Sequence, residues 1–134
     1  MIPAYNEEHR IGKTLEENIA YLSGQPYSWE IIVVDDGSAD GTVGIVRSFE
    51  SAHPGAVRLL RLPRNGGKGA AVQLGVMNAT GRFVLVADAD NAPHLTPYGV
   101  RIVGQPRASH KVQRLRLAFD QLLAQPCLAT LHRV

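Results

Sequence analysis

Two apolar runs in this chain each end in a pair of carboxylates. The first is Ile31-Ile32-Val33-Val34, followed by Asp35-Asp36-Gly37-Ser38. The second is Phe83-Val84-Leu85-Val86-Ala87, followed by Asp88-Ala89-Asp90. A short apolar run without polar alternation fits a strand buried on both faces, as in a parallel sheet covered by helices. Ligands of such sheets bind at the carboxyl ends of the strands, and both acid pairs fall there. Residues i and i+2 leave a strand on the same side, so Asp88 and Asp90 converge on one point. Their hard oxygen donors suit Mg2+ or Mn2+ and the phosphate such an ion carries.

The rest of the pattern agrees with an α/β chain. Ile2-Pro3-Ala4 reads as the stub of a first strand. Asn6 is a candidate N-cap for a helix whose buried stripe is Ile11, Leu15, Ile19 and Leu22. Gly24 to Pro26 ends that helix. After the Asp36–Gly41 turn, Asp40 or Thr42 caps a second helix with Val43, Val46 and Phe49 inside. A third strand covers Val57 to Leu62, and a glycine-rich loop from Pro63 to Gly69 opens a helix over 70–79. The order β-α-β-α-β-α-β with short connections predicts a parallel sheet with right-handed crossovers. Beyond Asn91 the pattern weakens. Val100 to Val103 reads as a short strand, and His110 to Ala124 as an amphipathic helix stopped by Pro126.

At 134 residues and 45% hydrophobic, the chain has the material for one domain and its core. The net charge of +2 comes without a Lys/Arg stripe, which gives no nucleic-acid footprint. Five cations fall between 101 and 116 (Arg101, Arg107, Lys111, Arg114 and Arg116), either as a solvated helix face or as a surface for anionic lipid or phosphate. Cys127 is the sole cysteine, so no internal disulfide forms, which suits a reducing compartment. No segment approaches the ~20 apolar residues of a membrane span, and Met1-Ile2-Pro3 does not read as a secretory leader. The five histidines (His9, His53, His94, His110 and His132) are scattered and suggest no zinc site.

Each remaining motif has a bland reading beside a functional one. Asp35-Asp36-Gly37-Ser38 is good turn material, yet adjacent acids repel, and a ligand or metal would offset that repulsion. Gly66-Gly67-Lys68-Gly69 is neither a P-loop nor a dinucleotide fingerprint. Glycines at a helix start nevertheless let backbone N–H groups approach an anion, and Lys68 adds charge. Tyr5 either packs in the core or stacks on a base. Glu7 and Glu8 either complement the helix dipole or face the ligand.

The ordered set Ile2-Pro3-Ala4-Tyr5-Asn6-Glu7-Glu8, Val33-Val34-Asp35-Asp36-Gly37-Ser38, Asp40-Gly41-Thr42, Asn65-Gly66-Gly67-Lys68-Gly69 and Asp88-Ala89-Asp90 resembles the nucleotide-binding half of family 2 glycosyltransferases. These have the A-type (GT-A) fold, and the dolichyl-phosphate glucosyltransferase branch is the most alike. The resemblance covers about residues 2–92 and implies a Rossmann-like parallel sheet with helices on both faces. It implies that Pro3, Ala4, Tyr5 and Glu7 line a nucleotide pocket. Asp35 or Asp36 would read the base, and Gly67 and Lys68 would sit by the nucleotide or diphosphate. Asp88 would contact the nucleotide sugar and, with Asp90, hold Mn2+ or Mg2+. It also implies transfer of a hexose, with inversion, from a nucleotide sugar such as UDP-glucose to a polyprenyl or dolichyl phosphate.

The catalytic base has no counterpart here. The chain reads as a single incomplete domain over 1–134, with residues 1–92 as the nucleotide-sugar-binding half and 93–134 as an atypical, shortened acceptor-side segment. The expected setting is cytoplasmic, extending to peripheral contact at the cytoplasmic face of a membrane. Two alternatives stay open: a nucleotide-sugar-binding fragment without transferase activity, and a phospho-acceptor receiver domain, whose acids also follow strands.

Overall fold

The structure, a computed structural model, describes residues 1–89 and the strand at 101–103. Its elements are β1 (Ile2–Ala4), α1 (Ile11–Ser23), β2 (Ile31–Asp35), α2 (Thr42–Ala52), β3 (Val57–Arg61), α3 (Lys68–Asn78), β4 (Val84–Val86) and β5 (Arg101–Val103). Asp90, the segment from Pro93 to Gly99 and the expected helix from His110 to Ala124 lie outside the described residues.

The three strands β1, β2 and β3 form a parallel sheet with β2 in the middle. Ile2 pairs with Val33, and Val33 in turn with Leu59. Every residue of β2 is buried, as its unbroken apolar run requires. Alternation sorts the side chains. Ile31 and Val33 join Ile2, Ala4 and Val57 beneath Ile11 and Leu15 of α1 and Val46 of α2. Ile32 and Val34 face the other way, onto Ala71 and Val76 of α3 and Val84 of β4. Helices therefore cover both faces, and the α/β expectation holds.

The position of β4 refines that expectation. Within the regular pairings β4 runs antiparallel to β5, Val84 opposite Val103. Yet the Met1 nitrogen donates to the Leu85 carbonyl, and the Ala87 N–H donates to the Met1 carbonyl at 3.0 Å. Those two bonds make one rung of parallel pairing between Met1 and Val86. The spatial order is thus β3-β2-β1-β4, the first four positions of the classic dinucleotide-binding order. A receiver domain puts β1 between β2 and β3, so the strand order removes that alternative.

Opposite the carboxyl ends, Glu30 ties three elements together. One carboxylate oxygen accepts the Thr80 N–H and hydroxyl, both at 2.6 Å, and the Gly81 N–H at 3.2 Å; the other accepts from Arg58 at 3.0 Å. Burial raises its pKa by favouring the neutral form, but the donors from Thr80, Arg58 and Gly81 outweigh burial and hold the pKa below its ordinary 4.5. A depressed folded-state pKa adds stability above the unfolded value, and that stability is lost as pH falls through the folded one. Glu30→Gln is expected to cost about 1 kcal/mol at neutral pH. The gap to the wild type should narrow as pH falls below 4.5. Parallel urea melts at pH 7 and pH 3.5 check this, and a gap that does not change with pH counts against it.

Candidate functional site

In an open α/β sheet the crevice opens where the strand order reverses, here between β1 and β4. A cavity of about 300 Å3 lies there, lined by Pro3, Ala4, Tyr5, Glu7, Arg10, Asp36, Lys68, Ala71, Asp88 and Ala89. Chain segments following β1, β2 and β4 and the start of α3 all deliver side chains to it. Of the sequence-predicted residues, the fold gathers Pro3, Ala4, Tyr5, Glu7, Asp36, Lys68 and Asp88 around this one space. Asp35 and Gly67 do not line it. Asp90 lies outside the described residues.

The two adjacent acids point to different partners, which resolves their repulsion. Asp35 is wholly buried; its carboxylate accepts the Ser38 N–H at 3.1 Å and Arg61 Nε at 3.0 Å. Asp36 turns toward the glycine-rich loop, where Oδ1 accepts the Gly66 N–H at 2.7 Å and Oδ2 the Gly67 N–H at 2.9 Å. Gly67 has φ +85°, the left-handed region that favours glycine. An alanine Cβ there would meet nothing within 4 Å, so this glycine is set by backbone angle rather than by crowding within the chain.

The loop after β1 is docked on the loop after β2. Asn6 does not cap α1, whose N-cap position is Arg10. Instead Asn6 adopts φ +53°, donates its N–H to Ser38 Oγ at 2.9 Å and accepts the Ala39 N–H at 3.0 Å. The Glu7 N–H donates to Thr42 Oγ1 at 2.8 Å, and the Gly41 N–H to Glu8 Oε2 at 2.7 Å. Asp40 accepts from the Thr42 N–H and hydroxyl and from the Glu8 N–H. Desolvation raises its pKa, but those donors together outweigh it and leave it lowered. The network fixes Tyr5, which is 47% exposed at the cavity, and Glu7 beside it.

Three contributors escaped the sequence reading. Arg10 closes a two-bond fork on Glu7, Nε to Oε2 at 2.7 Å and Nη2 to Oε1 at 3.0 Å; the i, i+3 spacing was the available signal. Thr14, buried on α1, donates to the Ala89 carbonyl at 3.1 Å and so pins the residue after Asp88. Arg61 neutralises Asp35 from the end of β3. At the cavity itself, Lys68 Nζ lies 2.5 Å from Asp88 Oδ1, with both side chains about half exposed.

Among the described residues no group of three or more His, Cys, Asp or Glu is placed to hold a metal ion. Asp88 nevertheless offers an accessible carboxylate on which a cation, the Lys68 ammonium, already stands. That oxygen donor with a stand-in cation fits a hard divalent ion whose remaining ligands are phosphate, water or residues beyond those described.

A family model for glycosyl transferase family 2 matches residues 1–96. The chain is 47% identical over 103 residues to a dolichyl-phosphate beta-glucosyltransferase of Trichomonas vaginalis, covering 73% of this chain and 30% of that protein. Among solved structures it is similar to the S. aureus protein TarS in complex with UDP, at TM-score 0.57 and 32% identity over 67% of this chain and 26% of that one. It is likewise similar to the mannosyltransferase PcManGT of Pyrobaculum calidifontis in complex with GDP-Man and Mn2+, at TM-score 0.55 and 34% identity over 66% and 26%. The chain spans about a third of the length of the curated relatives it matches. With a GT-A sheet, a cavity at its switch point and a family match over most of its length, this chain belongs to glycosyl transferase family 2.

Proposed function

We propose that residues 1–92 form the donor-binding half of a glycosyltransferase. It moves a hexose from a nucleotide sugar, UDP-glucose in this reading, to a polyprenyl or dolichyl phosphate, with inversion. Residues 93–134 then contribute to the acceptor side. The observation that carries the reading is the cavity between β1 and β4, with the Lys68 ammonium on an accessible Asp88 carboxylate. The similarity to a dolichyl-phosphate glucosyltransferase supports the sugar and the acceptor. The neighbour bound to UDP supports a nucleotide ligand, and the one bound to GDP-Man and Mn2+ supports a divalent ion.

In this reading Tyr5, Pro3 and Ala4 form an apolar wall for the base. The Glu7–Arg10 fork presents a fixed polar edge. Asp36 holds the glycine-rich loop at its place near the diphosphate, and Lys68 supplies positive charge there. Asp88, with Asp90, would hold Mn2+ or Mg2+, which when bound neutralises the diphosphate leaving group. The acceptor phosphate oxygen bonds to the anomeric carbon as that carbon's bond to the nucleoside diphosphate breaks. Among the described residues no helix is long and apolar enough to cross a membrane. In this reading the chain works at the cytoplasmic face of a membrane, where its lipid-phosphate acceptor lies.

Thermal denaturation with UDP, UDP-glucose, GDP and GDP-mannose, each with and without Mn2+, tests the donor site. A ligand at ~100 times its Kd adds about 2.7 kcal/mol of stability. The expected result is a Mn2+-dependent rise with the uridine nucleotides. In Asp88→Asn the Mn2+-dependent part should vanish while any metal-free part survives. Equal loss of both parts argues against a metal role, and no shift from a cooperatively folding chain overturns the reading. Donor binding without transfer to dolichyl phosphate would leave the binding-fragment alternative.

A further inference from the structure

We infer that Lys68 and the divalent ion compete for Asp88, so that Lys68 opposes metal binding in the empty site and supports it once a nucleoside diphosphate is present. The inference rests on the proposed role of Asp88 as a metal ligand, and it concerns which cation holds that carboxylate and when.

Most charges of the cavity are already paired within the chain. Glu7 has both carboxylate oxygens on Arg10. Asp36 has both oxygens on the Gly66 and Gly67 N–H groups. Those two acids are therefore committed to the chain, and so are the two glycine N–H groups that would otherwise face an anion. The pair left over is Lys68 with Asp88, joined by a single contact from Nζ to Oδ1. It is unlike the other two in being open to water on both sides, with 64% of the lysine and 46% of the aspartate side chain exposed.

An exposed ion pair of this kind is worth little and exchanges readily. A divalent ion arriving on Asp88 meets a like charge at contact distance and must push it away. Lysine is suited to move, because its charge is a compact point on a flexible four-carbon stem. It is also the first residue of α3, so its ammonium swings about a helix N-terminus, where the dipole favours an anion. A diphosphate in the cavity would give the displaced ammonium a new partner. The metal then gains Asp88 and the nucleotide gains Lys68, so the two ligands favour each other's binding. Without a nucleotide the lysine has no such alternative, and its return to Asp88 weakens the hold on the metal.

The test reads Mn2+ binding directly, from the electron paramagnetic resonance signal of free aqueous Mn2+, on the full chain without nucleotide. Lys68→Met is expected to bind Mn2+ about three- to tenfold more tightly than the wild type. With UDP present the order should reverse, Lys68→Met holding UDP and Mn2+ about tenfold more weakly. Lys68→Arg should restore the UDP arm. A lysine that served only the fold would lower both affinities together. Asp88→Asn separates the two ideas. If it abolishes Mn2+ binding while Lys68→Met leaves nucleotide-free affinity unchanged or weaker, the competition is wrong and the metal reading stands. If Asp88→Asn binds Mn2+ as the wild type does, the metal reading fails and takes the competition with it. Undetectable binding to Lys68→Met also overturns the inference.

Discussion

Gly37→Ala is expected to destabilise the chain by about 3 kcal/mol or more, and to abolish nucleotide-dependent stabilisation at temperatures where the fold survives. Two costs combine at this position. Gly37 has φ +77°, a region that costs a residue such as alanine about 1–2 kcal/mol. Its missing Cβ also makes room for another chain segment. An added Cβ would stand 2.7 Å from the Asn65 nitrogen and 2.8 Å from the Arg64 carbonyl carbon, both backbone atoms. Backbone cannot rotate aside as a side-chain tip can, so the loop from Arg64 to Gly67 must move as a unit. Asp36 and its two N–H partners, Gly66 and Gly67, flank that contact, and the wall of the cavity moves with them. Gly55→Ala is the control. Gly55 has φ +81° but no neighbour within 4 Å of its Cβ position, so it bears the angular cost alone. Urea midpoints of the two variants, with nucleotide shifts measured alongside, separate strain from contact. Equal midpoints would dismiss the close approach.

What could be read in the chain before its structure was known follows a physical line between local pattern and long-range pairing. The apolar run Ile31–Val34 predicts burial on both faces, and β2 delivers it because α1 and α2 take one face and α3 the other. The glycine-rich segment announces a helix start, found at Lys68 rather than at Ala70. An apolar run does not say which strand it lies beside, however. The rung from β4 to Met1 and the antiparallel partner β5 are tertiary choices that no local pattern encodes. The same holds for the acids. Asp35-Asp36 looks unstable as a pair because its partners lie 26 and 30 residues away, at Arg61 and Gly66. Asn6 misled for a related reason. Its side chain has the chemistry of a cap, but the loop after β2 offers Ser38 and Ala39 as better-placed partners. Thr14 could have been noticed, since a hydroxyl on the buried side of a helix needs an acceptor, yet nothing in the sequence names that acceptor as the carbonyl of Ala89.

Arg61→Met is the second large effect, and it reaches the site through the fold. Asp35 is fully buried, and Arg61 is the cation that touches it. Removing one member of a buried pair leaves an uncompensated charge, at a cost of about 3–5 kcal/mol when both are dry. The arginine side chain is 53% exposed, so water reaches one side of the pair and the expected loss is nearer 2–3 kcal/mol. Among the described residues the remaining donor to the Asp35 carboxylate is the Ser38 N–H, and Arg61 also donates to the Ser38 carbonyl at 3.2 Å. Ser38 in turn receives the Asn6 N–H. Loosening it therefore releases the loop that carries Tyr5 and Glu7 to the cavity, and nucleotide affinity should fall with stability. Asp35→Asn removes the charge but keeps the shape, so the double variant with Arg61→Met should recover about 1–2 kcal/mol relative to the sum of the single changes. Urea denaturation of the four proteins gives that coupling directly. Strictly additive losses would mean that Arg61 acts by packing its stem against β2, with its charge of no consequence to Asp35.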